Sequence, residues 1–163
     1  ISKDAWNRYS EKGSWYYEVV DNGYKYNMTD IAASLGLVQL ERLDALNKKR
    51  TDIAKKYTEA FSTHKNITLL KPTIEVKTSW HLYVIKVKNR DQLMKTLKND
   101  GIGYSLHFIP IHNHPYYKKN YSFDENHFPV ANQIYKESIS LPIYPDMTDD
   151  DVNRVIQSVI NNV

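Results

Sequence analysis

The sequence predicts an α+β domain in which helices cover one face of a sheet. Two observations carry that reading. From His81 onward, strand-like and helix-like segments alternate, with Gly and Pro punctuating them. The last segment, Val152, Val155, Ile156, Val159 and Ile160, is a full apolar stripe at helical spacing. At 163 residues the chain is long enough for one real core, or one core with an added arm.

Taken in order, residues 1–22 do not read as the start of an independent fold. Residues 1–8 are expected to form a short helix, and WYYEVV at 15–20 has strand composition. Trp6, Trp15, Tyr16 and Tyr17 are more aromatic surface than an unsupported arm tolerates, so a further domain or a second subunit is expected against them. Asp21, Asn22 and Gly23 form a turn, and Thr29 is a helix N-cap with Asp30 in the first turn. Helix is predicted from Thr29 to about Phe61 in two pieces. Leu35, Val38, Leu40, Leu43 and Leu46 mark one apolar face; Ile53, Ala54, Tyr57 and Phe61 mark the next. Gly36 within it is expected at a packing contact.

His81 to Lys88 reads as a strand. Asn89 is expected to cap a short helix with Gln92 three residues on, Leu93, Met94 and Leu97 inward, and Gly101 at its end. Gly103 to Ile109 reads as a second strand stopped by Pro110, and 112–127 as a polar, aromatic loop. Pro129 opens a helix, Ile139–Leu141 is a short strand, and Thr148 caps the last helix with Asp149 to Asp151 behind it.

Composition excludes several classes. Apolar residues are 41 % and charged residues 25 %, so the chain is globular. It has no cysteine, which removes disulfide scaffolds and thiolate metal sites. The net charge of +3 arises from 22 basic residues spread evenly against 19 acidic ones, so no nucleic-acid partner is expected. No apolar run reaches membrane-spanning length, and no membrane role is expected. His112, His114 and His127 lie near Asp124, but no cysteine or paired carboxylate completes a ligand set, and no metal is expected. The 13 tyrosines concentrate before residue 30 and between 104 and 144, a composition suited to contact surfaces.

Five blocks say more. They read GYKYNMTDIAASLGLVQL at 23–40, RLDALNKKRTDIAKKY at 42–57, SWHLYVIKV at 79–87, GIGYSLHFIPIH at 101–112 and FPVANQIYKESISLPIYPDMTDDDV at 128–152. In this order they resemble the C-terminal half of the DegT/DnrJ/EryC1/StrS family of nucleotide-sugar aminotransferases, which use pyridoxal phosphate (PLP). The resemblance implies the small C-terminal domain of the type I PLP aminotransferase fold, a small, mostly antiparallel sheet covered by helices. An aromatic arm and a long helix would precede it. Residues 1–28 would be the arm, the tail of a large domain and a dimer contact; residues 29–163 would be the small domain.

By the same resemblance, the whole enzyme moves an amino group from glutamate to a nucleotide-linked keto-sugar, as a cytoplasmic homodimer. The Schiff-base lysine belongs to a motif upstream of these blocks, so the chain is expected to lack it and to be inactive alone. Asn27 would reach the cofactor phosphate of the other subunit, which suits a polar residue beside a helix start. Many relatives carry Arg where this chain has Met28; Lys25 and Tyr26 are candidate substitutes for its substrate contact. His81 and His107 would line the substrate mouth, with Tyr104 and Tyr83 as lesser candidates. The alternative is a non-catalytic binding or dimerisation module derived from the family.

Overall fold

The computed structural model describes residues 19–71, 76–121 and 123–163. The expected helix at 1–8 and most of the expected strand at 15–20 lie outside them; Val19 and Val20 are exposed and in no regular element. By its internal contacts the chain divides into Ile1–Leu40 and Glu41–Val163.

Helix α1 runs unbroken from Asp30 to Phe61, where two pieces were expected. Gly36 costs helix propensity but lacks the proline or side-chain insertion that kinks a helix. Thr29 caps its start, its hydroxyl accepting from the Ala32 N–H at 3.3 Å. The two apolar faces have different fates. Ile53, Ala54, Tyr57 and Phe61 are buried, whereas Leu35, Val38, Leu40 and Leu43 are exposed, Leu35 at 64 %. Nothing described lies within 4 Å of where a Gly36 Cβ would sit, so the packing contact expected there is not made among the described residues.

In Glu41–Val163, strands β1 (Ile67–Leu69), β2 (Tyr83–Val87) and β3 (Ser138–Leu141) form an antiparallel sheet in that order. β2 is central. It pairs Ile67 with Val87 on one side and Tyr83 with Leu141 on the other. Its alternation buries Tyr83, Ile85 and Val87, which join the inward residues of α1, α2 and α5 in one core. The three-residue β1 was not predicted; it is too short to leave a period-two signature.

Helix α2 (Arg90–Asn99) ends as the sequence predicts. Gly101 is left-handed at φ +68°, its N–H bonds the Lys98 carbonyl, and the Ile102 N–H bonds the Leu97 carbonyl. Ile102 and Leu97 are both buried, the hydrophobic contact that accompanies this ending. Asn89 does occupy the position before α2, but its side chain makes no cap hydrogen bond. Arg90 does more there. Its buried guanidinium donates to the carbonyls of Tyr135 and Ser138 and lies 5.3 Å from the Tyr135 ring. That cation closes the end of helix α4 (Pro129–Glu137), where free carbonyls favour positive charge.

The strand expected at Gly103–Ile109 shrinks to a single antiparallel bridge, Ser105 with Ser140. The expected loop at 112–127 contains a 3-10 turn, Ile111–Asn113, and helix α3 (Pro115–Tyr121), started by a proline at a position that needs no N–H donor. Helix α5 (Asp149–Ile160) carries a capping box: the Asp151 N–H donates to the Thr148 hydroxyl at 3.1 Å, and the Thr148 N–H donates to the Asp151 carboxylate at 2.9 Å.

Ile85→Ala, at the fully buried centre of β2, is expected to cost about 3 kcal/mol, read from urea unfolding at unchanged slope. Leu35→Ser on the exposed face should move stability by no more than about 0.5 kcal/mol in the same assay.

Candidate functional site

A cavity of about 520 Å³ opens where the entry to β2, the segment after α2, the exit of β3 and the first turns of α5 converge. His81 and His107, distant in sequence, both line it, with Tyr104, Tyr144, Asp151 and Arg154. Every lining residue belongs to Glu41–Val163.

Each polar group is placed by its own element. His107 sits two residues beyond the Ser105–Ser140 bridge, and its Nδ1 lies 2.8 Å from the Ser140 hydroxyl. The Phe108 ring meets it edge-on at 4.8 Å. His81, just before β2, is exposed and makes no hydrogen bond with another described residue. Arg154, on α5, donates to the Asp100 carbonyl at the end of α2, while the Ser158 hydroxyl donates to the Asp100 carboxylate at 2.5 Å. A Cβ at Gly101 would stand 3.3 Å from the Arg154 guanidinium, so glycine serves both the turn and this approach. Asp151 is held below the usual carboxylate range by the backbone and hydroxyl of Thr148.

Behind the cavity the tyrosines are structural. The Tyr57 hydroxyl donates to the Pro142 carbonyl at 2.9 Å, and burial pushes this phenol far up. Burial also raises Tyr83, partly offset by its hydrogen bond with Thr58. Tyr83 is packed in the core, which gives it no exposed surface for a ligand.

The remaining expected residues stand elsewhere. Lys25, Tyr26 and Asn27 lie in the exposed stretch before α1, in Ile1–Leu40. Asn27 makes no hydrogen bond with another described residue, leaving its amide available. His112 is buried, stacked on Phe128 at 4.4 Å, with Nε2 2.8 Å from Asn132. His114 approaches the Ile109 carbonyl at 3.3 Å, and His127 lies 3.8 Å from Asp124. Among the described residues no three His, Cys, Asp or Glu are grouped to hold a metal. Nor is any described helix long and apolar enough to cross a membrane. A second, larger groove of about 700 Å³ has a mainly apolar surface, with Leu69, Leu70, Trp80 and Leu82 in its lining, and is also lined by Lys55, Glu59 and Lys71; none of the expected site histidines reaches it.

The profile of the DegT/DnrJ/EryC1/StrS aminotransferase family matches residues 1–160. The chain belongs to this family. The spore coat polysaccharide biosynthesis protein SpsC of Bacillus subtilis is 48% identical over 168 residues, covering 98% of this chain and 43% of that protein. An uncharacterized protein of Methanocaldococcus jannaschii is 48% identical over 167 residues with the same two coverages. The chain therefore spans about 43% of the length of these relatives.

Among solved structures, the PMP form of the sugar aminotransferase Spr1654 from Streptococcus pneumoniae superimposes with TM-score 0.79 at 35% identity, over 98% of this chain and 41% of that one. DesV of S. venezuelae gives 0.79 at 26% identity, over 93% and 41%. The antiparallel sheet with its helices is the C-terminal domain of the type I PLP aminotransferase fold.

A PLP site needs a lysine for covalent attachment, a carboxylate for the ring nitrogen and a phosphate cradle. No lysine lines the cavity, and its carboxylate, Asp151, is engaged in the α5 cap. By itself the cavity does not fit PLP. What it offers is a set of hydrogen-bonding side chains and an aromatic wall, suited to a polar ligand.

Asp151 also sets a pH signature. A depressed folded value gives stability present above the unfolded carboxylate value and lost as pH falls through the folded one. Asp151→Asn should therefore lower the melting temperature at neutral pH and narrow its gap from the parent protein on acidification.

Proposed function

We propose that the chain is the C-terminal part of a PLP-dependent aminotransferase that moves an amino group from glutamate to a nucleotide-linked keto-sugar, in the synthesis of cell-surface polysaccharide or amino sugars. The observation that carries this reading is the family match, which runs from residue 1 to residue 160. The relationship to SpsC supports the polysaccharide setting. In this reading residues 1–28 are the arm and dimer contact, residues 29–163 the small domain, and the working enzyme a cytoplasmic homodimer.

His81 and His107 line the mouth that receives the sugar, supported by their shared cavity. Lys25 and Tyr26 contribute from the exposed stretch before α1, and Asn27, with its free amide, reaches the cofactor phosphate of the other subunit. PLP supplies the electron sink when bound, held mainly by residues outside this chain. In this reading the chain alone does not transaminate, as the cavity that holds His81 and His107 brings no lysine.

Two measurements test this. The 163-residue chain mixed with equimolar PLP and reduced with borohydride should show only the scattered labelling that exposed amines give, with no preferred lysine; one stoichiometrically modified lysine would refute the division of labour. In the full-length protein, Asn27→Ala should release PLP faster on dialysis, while His81→Ala should raise KM for the keto-sugar on the order of tenfold, the loss of about one hydrogen bond. Unchanged cofactor retention would remove Asn27 from the site.

A further inference from the structure

We propose that Ser140 is a positioning residue for His107: its hydroxyl donates to Nδ1 and holds the neutral imidazole as the Nε2–H tautomer. The cavity is thereby offered a hydrogen-bond donor and not an acceptor.

Ser140 is 4 % exposed, and His107 Nδ1, at 2.8 Å, is the partner of its hydroxyl among the described residues. Two arrangements satisfy that distance. If Nδ1 carries the proton, the serine oxygen accepts and its own O–H, on a residue 4 % exposed, is left without an acceptor among the described residues. If Nδ1 is bare, the serine O–H is spent on it, and only oxygen lone pairs go unused. An unpaired buried donor is the costlier defect, because oxygen lone pairs are more often left partly used than a donor is left orphaned. The network therefore assigns the second arrangement.

The backbone makes the contact specific. Ser105 and Ser140 exchange both bridge hydrogen bonds, at 3.1 and 2.9 Å, which places His107 two residues on against β3. Phe108 edge-on to the imidazole limits its rotation. The nitrogen left to a ligand is Nε2, and as a donor it suits a carbonyl, hydroxyl or phosphate oxygen. That ligand class rests on the function proposed above; the tautomer does not.

The test is a long-range proton–nitrogen correlation spectrum of the chain labelled with ¹⁵N-histidine, at a pH where His107 is neutral, assigned by loss of its signals in His107→Gln. The expected result is a single Nε2–H tautomer in the parent chain. In Ser140→Ala the two ring nitrogens should shift toward a tautomer average, and Ser140→Thr should restore the parent pattern. An Nδ1–H tautomer or a mixture in the parent would overturn the proposal, and needs no variant to be seen. So would an unchanged pattern in Ser140→Ala. A full-length protein with no aminotransferase activity, beside a chain with the single tautomer intact, would count against the function and leave the Ser140 role standing.

Discussion

The register between β2 and β3 is the constraint on which the rest depends. Val84 faces Ser140 and Tyr83 faces Leu141, so Ile139 and Leu141 turn into the core while Ser140 turns to the other face. A slip of one residue would exchange those faces, putting a hydroxyl in the core and an isoleucine or leucine against His107. The same pairing brings the entry of β2, with His81, alongside the exit of β3, where the cavity opens. The site is a consequence of strand pairing before it is a matter of side-chain chemistry.

That pairing is held by the helices. Tyr57 and Phe61 of α1, Leu93 and Leu97 of α2 and Val152, Val155 and Val159 of α5 share one core with β2. These apolar stripes were legible because helical period repeats over several turns and leaves many matching residues. Short or singly paired elements leave few. β1 has three residues, and the segment 103–109 has strand composition but pairs at one position, so composition overstated it. The continuity of α1 was missed for a different reason: a change of apolar face along a helix reports a change of surroundings, not a break.

The candidate site was legible in part. His81 and His107 stand in strand-like blocks, and the structure brings both to one cavity. Ser140 and Arg154 were not legible. Their partners lie 33 and 54 residues away, and neither a strand serine nor a helix arginine announces a distant acceptor or ring. Arg90 is the same case, since it closes a helix whose last carbonyls come 45 residues later. Local patterns state which face a residue occupies; they do not state what the fold sets opposite it.

The histidines show why placement, more than residue type, picks out a site. His112 gives Nε2 to Asn132 and its face to Phe128, and His114 turns to a backbone carbonyl. Both hold the segment between the Ser105 bridge and α4 in shape, and the stacking from Phe128 through Phe123 to Tyr121 continues that support. Each imidazole is bonded at Nε2, and neither lines the cavity. His107 is committed at one nitrogen and not at the other, and His81 is exposed beside the same cavity. An imidazole fixed on one side and open on the other has lost most of its rotational freedom before a ligand arrives, which lowers the entropic cost of binding. His112 and His114 are likewise bonded at one nitrogen; what separates His107 from them is that it lines the cavity.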